Sequence, residues 1–313
     1  MRSGAVGRSV SFAVGPEEDG ERLDRALAAR CADLSRSAAA ALAKGGDVLV
    51  DGSPAKPSRK LRFGERVSAA LPAPEEELLP KPEPIALEVL YEDDYLLVVN
   101  KPPGMVVHPA PGSREGTLAA ALLARYPKIG GFADPTRPGV VHRLDKDTSG
   151  AIILALQEPV RLALAAAIAR REVTRIYWAL VWGAPPPEFT VDAPIGRCPK
   201  DRKRMAVVQG GRRAVTHFKV LERFKEAALL ECRLQTGRTH QIRVHAQYAG
   251  CPLVGEGVYT TRRLRGAAAG LISRQALHAV RVQFAHPVGG RLVDVEAPLP
   301  VDFAQALAAL RRA

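Results

Sequence analysis

Five prolines fall between residues 72 and 84, at 72, 74, 80, 82 and 84, and four glutamates accompany them. Each proline lacks an N–H and fixes its own φ, so neither a helix interior nor a central strand fits this stretch. Residues 72–87 therefore read as a stiff, extended, acidic linker. It separates a small N-terminal part from a body covering residues 88–313.

Residues 1–17 read as a tail and 18–71 as a compact module. Between Glu21 and Cys31, residues Leu23, Ala26, Leu27 and Arg30 recur at helical spacing. A second helix is predicted from Ser35, whose hydroxyl caps free N–H groups, to Lys44, with Gly45-Gly46 as its stop. Val48–Val50 and Val67–Ala70 read as strands, and Asp51-Gly52 as a tight hairpin turn.

The body reads as strands at Leu96–Val99, Ala151–Leu156, Tyr177–Trp182, Ala227–Leu234 and Val280–Phe284. Helices are predicted at Leu118–Tyr126, Pro159–Arg171, His240–Tyr248 and Phe303–Arg311. This is an α+β domain with a mixed, mainly antiparallel sheet. A composition of 47% hydrophobic and 25% charged residues is that of a chain able to bury a core, which excludes a disordered protein.

Charge is unevenly placed. Residues 197–281 hold 18 Lys plus Arg against 5 Asp plus Glu, a net of +13 in a chain totalling +12. Such concentration fits a polyanion partner, most commonly nucleic acid, although charge alone fits a basic surface without a partner equally well. Cys31, Cys198, Cys232 and Cys251 lie far apart without a C-x-x-C, which argues against zinc ribbons and redox dithiols. No signal-type apolar segment opens the chain and no run of 18 apolar residues occurs. We therefore expect a protein of the reducing cytoplasm with no membrane partner.

The densest polar cluster runs His142-Arg143-Leu144-Asp145-Lys146-Asp147-Thr148-Ser149-Gly150. Loops leaving rigid strands carry catalytic groups. Arg143 and Lys146 beside Asp145 favour its ionised form, as a nucleophile or base requires. By local pattern alone, a polar turn whose Asp147, Thr148 or Ser149 serves backbone donors is the simpler reading.

A second cluster is Thr236-Gly237-Arg238-Thr239-His240-Gln241-Ile242-Arg243-Val244-His245, with Thr239 as the expected helix cap and Arg243 one turn on, able to point back to the loop. Its histidines are five apart rather than four and lack the H-E-x-x-H pattern, so a zinc site is remote. In Thr174-Arg175-Ile176-Tyr177-Trp178, strand alternation puts Arg175 and Tyr177 on one face. Tyr177 is then available to stack on a base or to fill a core. Basic groups at Lys200, Arg202, Lys203, Arg204, Arg212, Arg213, Arg262, Arg263 and Arg265 sit in loop-like contexts suited to phosphate. The N-terminal module adds Arg36, Lys44, Lys56, Arg59, Lys60 and Arg62.

Taken together these strings resemble the RluA-type RNA pseudouridine synthases. The His142–Gly150 string is similar to that family's signature. Around it stand Asn100-Lys101-Pro102-Pro103-Gly104-Met105-Val106-Val107-His108-Pro109, Arg137-Pro138-Gly139-Val140-Val141, the Arg238–His245 string and Arg274-Gln275-Ala276-Leu277-His278-Ala279, in the family's order. The N-terminal module resembles the small RNA-binding domain shared with ribosomal protein S4, through Arg22-Leu23-Asp24, Ser35-Arg36-Ser37, residues 45–52 and Gly64-Glu65. That pairing looks most like the subgroup acting on large-subunit rRNA, RluD.

The resemblance implies a pseudouridine synthase fold with a central cleft, isomerisation of uridine to pseudouridine without metal or organic cofactor, and RNA as the partner. Asp145 would be the nucleophile, Arg143 would extrude the nucleotide, Tyr177 would pack on the base and move a proton from the sugar, and Arg243 would pair with Asp145. Ile242, His142, Lys101, Arg238, His240, Arg36, Lys44, Arg202, Lys203 and Arg204 would contact substrate or RNA. Nothing in the sequence demands more than a monomer. The chain departs from the family pattern at Arg175, where Lys is usual, at Gly255-Glu256 instead of Gly-Asp, and at Tyr259-Thr260 instead of Tyr-Gly. Two other readings remain open here: an RNA-binding assembly factor without chemistry, and a carboxylate glycosidase, which lacks an evident second carboxylate.

Overall fold

The computed structural model describes residues 6–31, 34, 36–72, 79–110, 112–201, 204–260 and 266–313. The chain divides into two compact units, Met1–Leu78 and Leu79–Ala313.

The first unit contains β1 (Val6–Ala13), α1 (Leu23–Arg30), α2 (Arg36–Gly45), β2 (Val48–Val50), β3 (Ser53–Pro54) and β4 (Arg66–Pro72). The strands form one sheet in the order β1-β4-β2-β3. Leu23, Ala26 and Leu27 of α1 pack with Ala39, Val48, Val50 and Val67 in its core. Asp51 and Gly52 both take positive φ, 47° and 77°, as a primed hairpin turn requires. The expected tail at 1–17 is corrected: it contains β1, an edge strand antiparallel to β4. Val10 and Phe12 alternate toward the core, and their partners lie some sixty positions away in sequence, out of reach of a local pattern. Ser35, the expected cap, lies outside the described residues.

The second unit begins with β5 (Val89–Glu92), β6 (Leu96–Lys101), α3 (Leu118–Arg125), β7 (Ser149–Ala155), α4 (Glu158–Arg170) and β8 (Thr174–Trp182). It continues with β9 (Glu188–Asp192), β10 (Ile195–Arg197), β11 (Met205–Val207), β12 (Val215–Arg223), β13 (Ala227–Leu234), α5 (Gln241–Tyr248), β14 (Leu277–Ala285), β15 (Leu292–Glu296) and α6 (Val301–Arg312). Nine strands make one mixed sheet, β5-β6-β7-β14-β8-β13-β12-β9, with β15 on β14. Only β7 and β14 run parallel within it. The tight fit there depends on Gly150, at φ 112°, where a Cβ would stand 2.3 Å from the Ala279 carbonyl oxygen.

Alternation distributes this sheet between separate cores. Ile152 and Leu154 of β7 join Leu118 and Leu122 of α3 and Ile242 of α5 on one face. Ala151, Ile153 and Ala155 join Val160 and Leu164 of α4 on the other. On β8, Tyr177, Ala179 and Val181 face the first core, while Leu180 packs against Phe303 of α6. A strand covered on both faces reads as the continuous apolar run seen in β7.

The stretch 72–87 differs from a free linker where it is described. Pro72 ends β4, and Glu83 is tied to the second unit: its N–H donates to the Ala120 carbonyl and its carboxylate accepts from the Gly116 N–H. The described residues 79–87 carry no helix or strand, yet Glu83 anchors them through both its backbone and its side chain.

Candidate active site

The polar loop between Val141 and Gly150, the interior face of β8 and the first turn of α5 enclose a cavity of about 390 Å³. Its lining includes His142, Arg143, Asp145, Arg175, Tyr177, Arg238, His240, Ile242 and Arg243. Asp145 is the one carboxylate among those lining residues.

Asp145 and Arg243, 98 positions apart, meet here: Arg243 Nη1 donates to Asp145 Oδ2 at 3.2 Å. Their side chains are only 14% and 6% exposed, so water screens the pair little. The rest of the guanidinium is held by Glu256, with Nε and Nη2 donating to its two carboxylate oxygens at 2.7 and 2.8 Å. Glu256 also accepts the Val258 N–H at 2.8 Å. Burial works against charge on Arg243, but the Glu256 hydrogen bonds and the Glu256 and Asp145 charges outweigh it and raise its pKa. Burial likewise disfavours the Glu256 carboxylate, and Arg243 reverses that, leaving its pKa lowered. Glu256 follows Gly255, whose φ of 71° and close approach to Arg274 (a Cβ would stand 2.0 Å from its carbonyl oxygen) admit no larger residue. Glu256 was legible only as a departure from the family pattern.

His240 caps α5 in the left-handed region, φ 56°, and Thr239 does not cap it. Gln241 closes this turn instead, its Oε1 accepting the Arg238 N–H and the Thr236 hydroxyl. His240 Nδ1 lies 2.5 Å from the Tyr259 hydroxyl and Nε2 lies 3.8 Å from Asp145 Oδ1. Burial lowers its pKa, so the ring is neutral at physiological pH. Tyr177, 5% exposed, presents its ring to the cavity, and burial raises its pKa. A phenol held protonated is a packing surface and donor, which weakens its expected use as a base toward the sugar. Arg143 is exposed at the cavity rim, and Ile242 is buried in its wall.

Lys101 is corrected from an RNA contact to an internal tie. It is fully buried, and its ammonium donates to the carbonyls of Pro102, Met105 and Lys146 at 2.7, 2.9 and 3.0 Å. It thus fastens the His142–Gly150 loop to the end of β6. Burial lowers its pKa from 10.5 to about 7, against the raising effect of Asp147 and Asp145. Between those values the unfolded chain binds more protons than the folded one, so stability rises as pH climbs from about 7 toward 10.5. Lys101→Met leaves three carbonyls without a donor and is expected to cost roughly 2–4 kcal/mol near pH 7. It also removes that pH-dependent rise. Urea midpoints at about pH 7 and about pH 10 check this, and an equal rise in both proteins contradicts it.

The remaining expected contacts are scattered. Arg238 Nε donates to the Arg213 carbonyl at 3.0 Å, and Arg204 lies 5.5 Å over the Tyr259 ring. Arg36 and Lys44 are exposed on α2 of the first unit, with Arg36 Nε 3.6 Å from Asp24. Arg202, Lys203, Arg262, Arg263 and Arg265 lie outside the described residues. His245 takes no part in a metal set: it is buried between the Thr216 hydroxyl and the Ala193 carbonyl.

Comparison with known proteins agrees with this geometry. A family model described as RNA pseudouridylate synthase matches residues 95–248, and an S4 domain model matches residues 21–67. The chain is 44% identical to the uncharacterized RNA pseudouridine synthase YlyB of Bacillus subtilis over 97% of its own length and 98% of the relative's. It is 45% identical to the ribosomal large subunit pseudouridine synthase D of Xanthomonas campestris, over 97% and 93% of the two chains. The solved structure of human RNA pseudouridylate synthase domain containing 4 superposes with a TM-score of 0.58 at 27% identity, covering 72% of this chain and 93% of that one. Ordered motifs, a mixed sheet carrying an arginine-held aspartate, and relatives matched almost end to end place this chain in the RNA pseudouridine synthase family.

Proposed function

We propose that this enzyme converts specific uridines of large-subunit rRNA to pseudouridine in the cytoplasm and so contributes to ribosome maturation. The observation that carries the reading is Asp145, the one carboxylate lining the cavity, aimed by Arg243. A relative that acts on the ribosomal large subunit and an S4 module suited to RNA support the substrate.

The target uridine leaves its stack, at a cost of a few kcal/mol, because its reacting atoms are otherwise inaccessible. Phosphate contacts offset that cost. Asp145 attacks the ribose C1′, and the N1–C1′ bonding pair departs with the uracil. The detached base turns against Tyr177 and Ile242. Its C5 then bonds to C1′ and displaces Asp145, after which the C5 proton is lost and N1 is protonated. Atoms balance, no cofactor enters, and the product is an isomer. Arg143, exposed at the rim, occupies the space the nucleotide vacates.

Transcripts of large-subunit rRNA and a tRNA pool, each incubated with the protein and mapped by carbodiimide-dependent primer-extension stops, test the target. Stops in the rRNA and none in tRNA are expected. Stops confined to tRNA overturn the substrate, and binding with no stops in any RNA favours the assembly-factor reading.

The S4-like unit has its own expected signature. Removing residues 1–78 weakens rRNA binding and flattens the dependence of log K on log salt by about 0.7–0.9 per lost phosphate contact. An unchanged slope shows that this unit does not touch RNA.

A further inference from the structure

The cavity wall carries a cation that this chemistry does not use. Arg175 stands on β8 two residues before Tyr177 and is only 8% exposed. Its buried Nε has no hydrogen-bond partner, and among the described residues no carboxylate pairs with its guanidinium. Gly237 leaves room for it: a Cβ there would stand 3.3 Å from Nη1. A second orphan lines the same cavity. His142 Nε2 accepts the Ile153 N–H at 3.0 Å. Burial, with Arg175 adding to it, pushes the His142 pKa down to about 3, so the ring is neutral. Its proton then sits on Nδ1, which is buried without a partner.

Two buried donors without acceptors, one of them charged, are costly in a folded chain unless a ligand completes them. The lining holds Arg143, Arg171, Arg175, Arg238 and Arg243 against the single carboxylate of Asp145, which Arg243 already holds. That imbalance favours an anion over a neutral carbonyl. Strand geometry says which anion. Arg175 and Tyr177 share one face of β8 about 7 Å apart, one side-chain repeat along the strand. With a base against Tyr177 and Asp145 facing the sugar, the next group along the strand is the nucleotide's phosphate. Thr174, with which β8 begins, is exposed, and Arg175 is the first buried residue of the strand. A guanidinium fork matches a phosphate where the usual family lysine offers a point charge.

We propose that Arg175 and the His142 Nδ1–H form a phosphate subsite inside the cavity that grips the backbone beside the flipped nucleotide. This rests on the proposed attack by Asp145. Arg175 is a binding residue, and it converts backbone contact into correct depth of insertion of the sugar.

The test uses the full chain, an rRNA hairpin it binds, and versions of that hairpin carrying neutral methylphosphonates beside each loop uridine in turn. Arg175→Gln is expected to bind the parent hairpin about ten- to a hundredfold more weakly. Its log K–log salt slope falls by about 0.7, one phosphate's worth for a single strand. One methylphosphonate weakens the wild-type protein similarly and leaves Arg175→Gln unaffected. Arg175→Lys recovers the slope and only part of the affinity. The melting midpoint of Arg175→Gln equals or exceeds that of wild type, because an unpaired buried charge has gone, whereas a structural arginine would lower it. Methylphosphonates that weaken both proteins equally, or an unchanged slope, overturn the subsite. Pseudouridine formation is scored on the same hairpins. Turnover without the phosphate effect overturns the subsite alone, and the phosphate effect without turnover overturns the Asp145 reading alone.

Discussion

Asp145→Asn abolishes pseudouridine formation while rRNA binding stays within about threefold of wild type. The replacement keeps the shape and one carbonyl acceptor, so Arg243 Nη1 retains a partner and Glu256 still holds the other side of the guanidinium. It removes the carboxylate that would bond to C1′, and a neutral amide does not replace it as a nucleophile. Loss of a covalent nucleophile lowers turnover by roughly 10⁴- to 10⁶-fold, so carbodiimide stops fall to background. Stops of wild-type intensity from the variant would falsify the nucleophile assignment and leave Asp145 a structural partner of Arg243.

Arg243→Ala should produce the largest loss of stability at this site, together with loss of turnover. Glu256 has a side chain 1% exposed and loses both guanidinium hydrogen bonds. An unpaired buried carboxylate costs about 3–5 kcal/mol. The direction of the pH dependence reverses as well. In wild type the Glu256 pKa lies below its ordinary 4.5, so its stabilisation is present above that value and lost as pH falls through the folded one. Without Arg243, burial, the largest influence, is opposed only by the Val258 and Tyr259 N–H groups and raises the Glu256 pKa, so stability falls as pH climbs above about 4.5. Adding Glu256→Gln to Arg243→Ala recovers part of the stability and none of the turnover, because Asp145 still lacks its partner. Chemical denaturation across pH and the mapping assay together check this. Restored turnover in the double variant would mean that Arg243 serves only to neutralise Glu256.

The elements legible in the chain were those whose signal is local. The apolar run of β7, the glycines ending α2 and the turn at Asp51-Gly52 each state their conformation within a few residues. β1 was not legible, because an edge strand is defined by a partner and its partner β4 lies far along the chain. The short strands β10 and β11 likewise exist only as a pair.

The site divides along the same line. Residue order pointed to Asp145, Arg143, Tyr177 and Arg243 through resemblance to one family, and the fold brings all four to one cavity. Around Asp145 alone, a polar turn was the simpler reading. Three assignments needed the folded chain. Lys101 carries the same charge as a surface lysine, and only burial against three carbonyls makes it an internal tie. Glu256 holds the arginine that holds Asp145, a contact between loop and helix that no spacing encodes. Arg175 shows itself as an unsatisfied donor only once the acceptors around it are known. Chemical type travels with the residue and survives in a linear string. Burial, pairing and the lack of a partner are relations between distant residues, and they come into being only when the chain closes on itself.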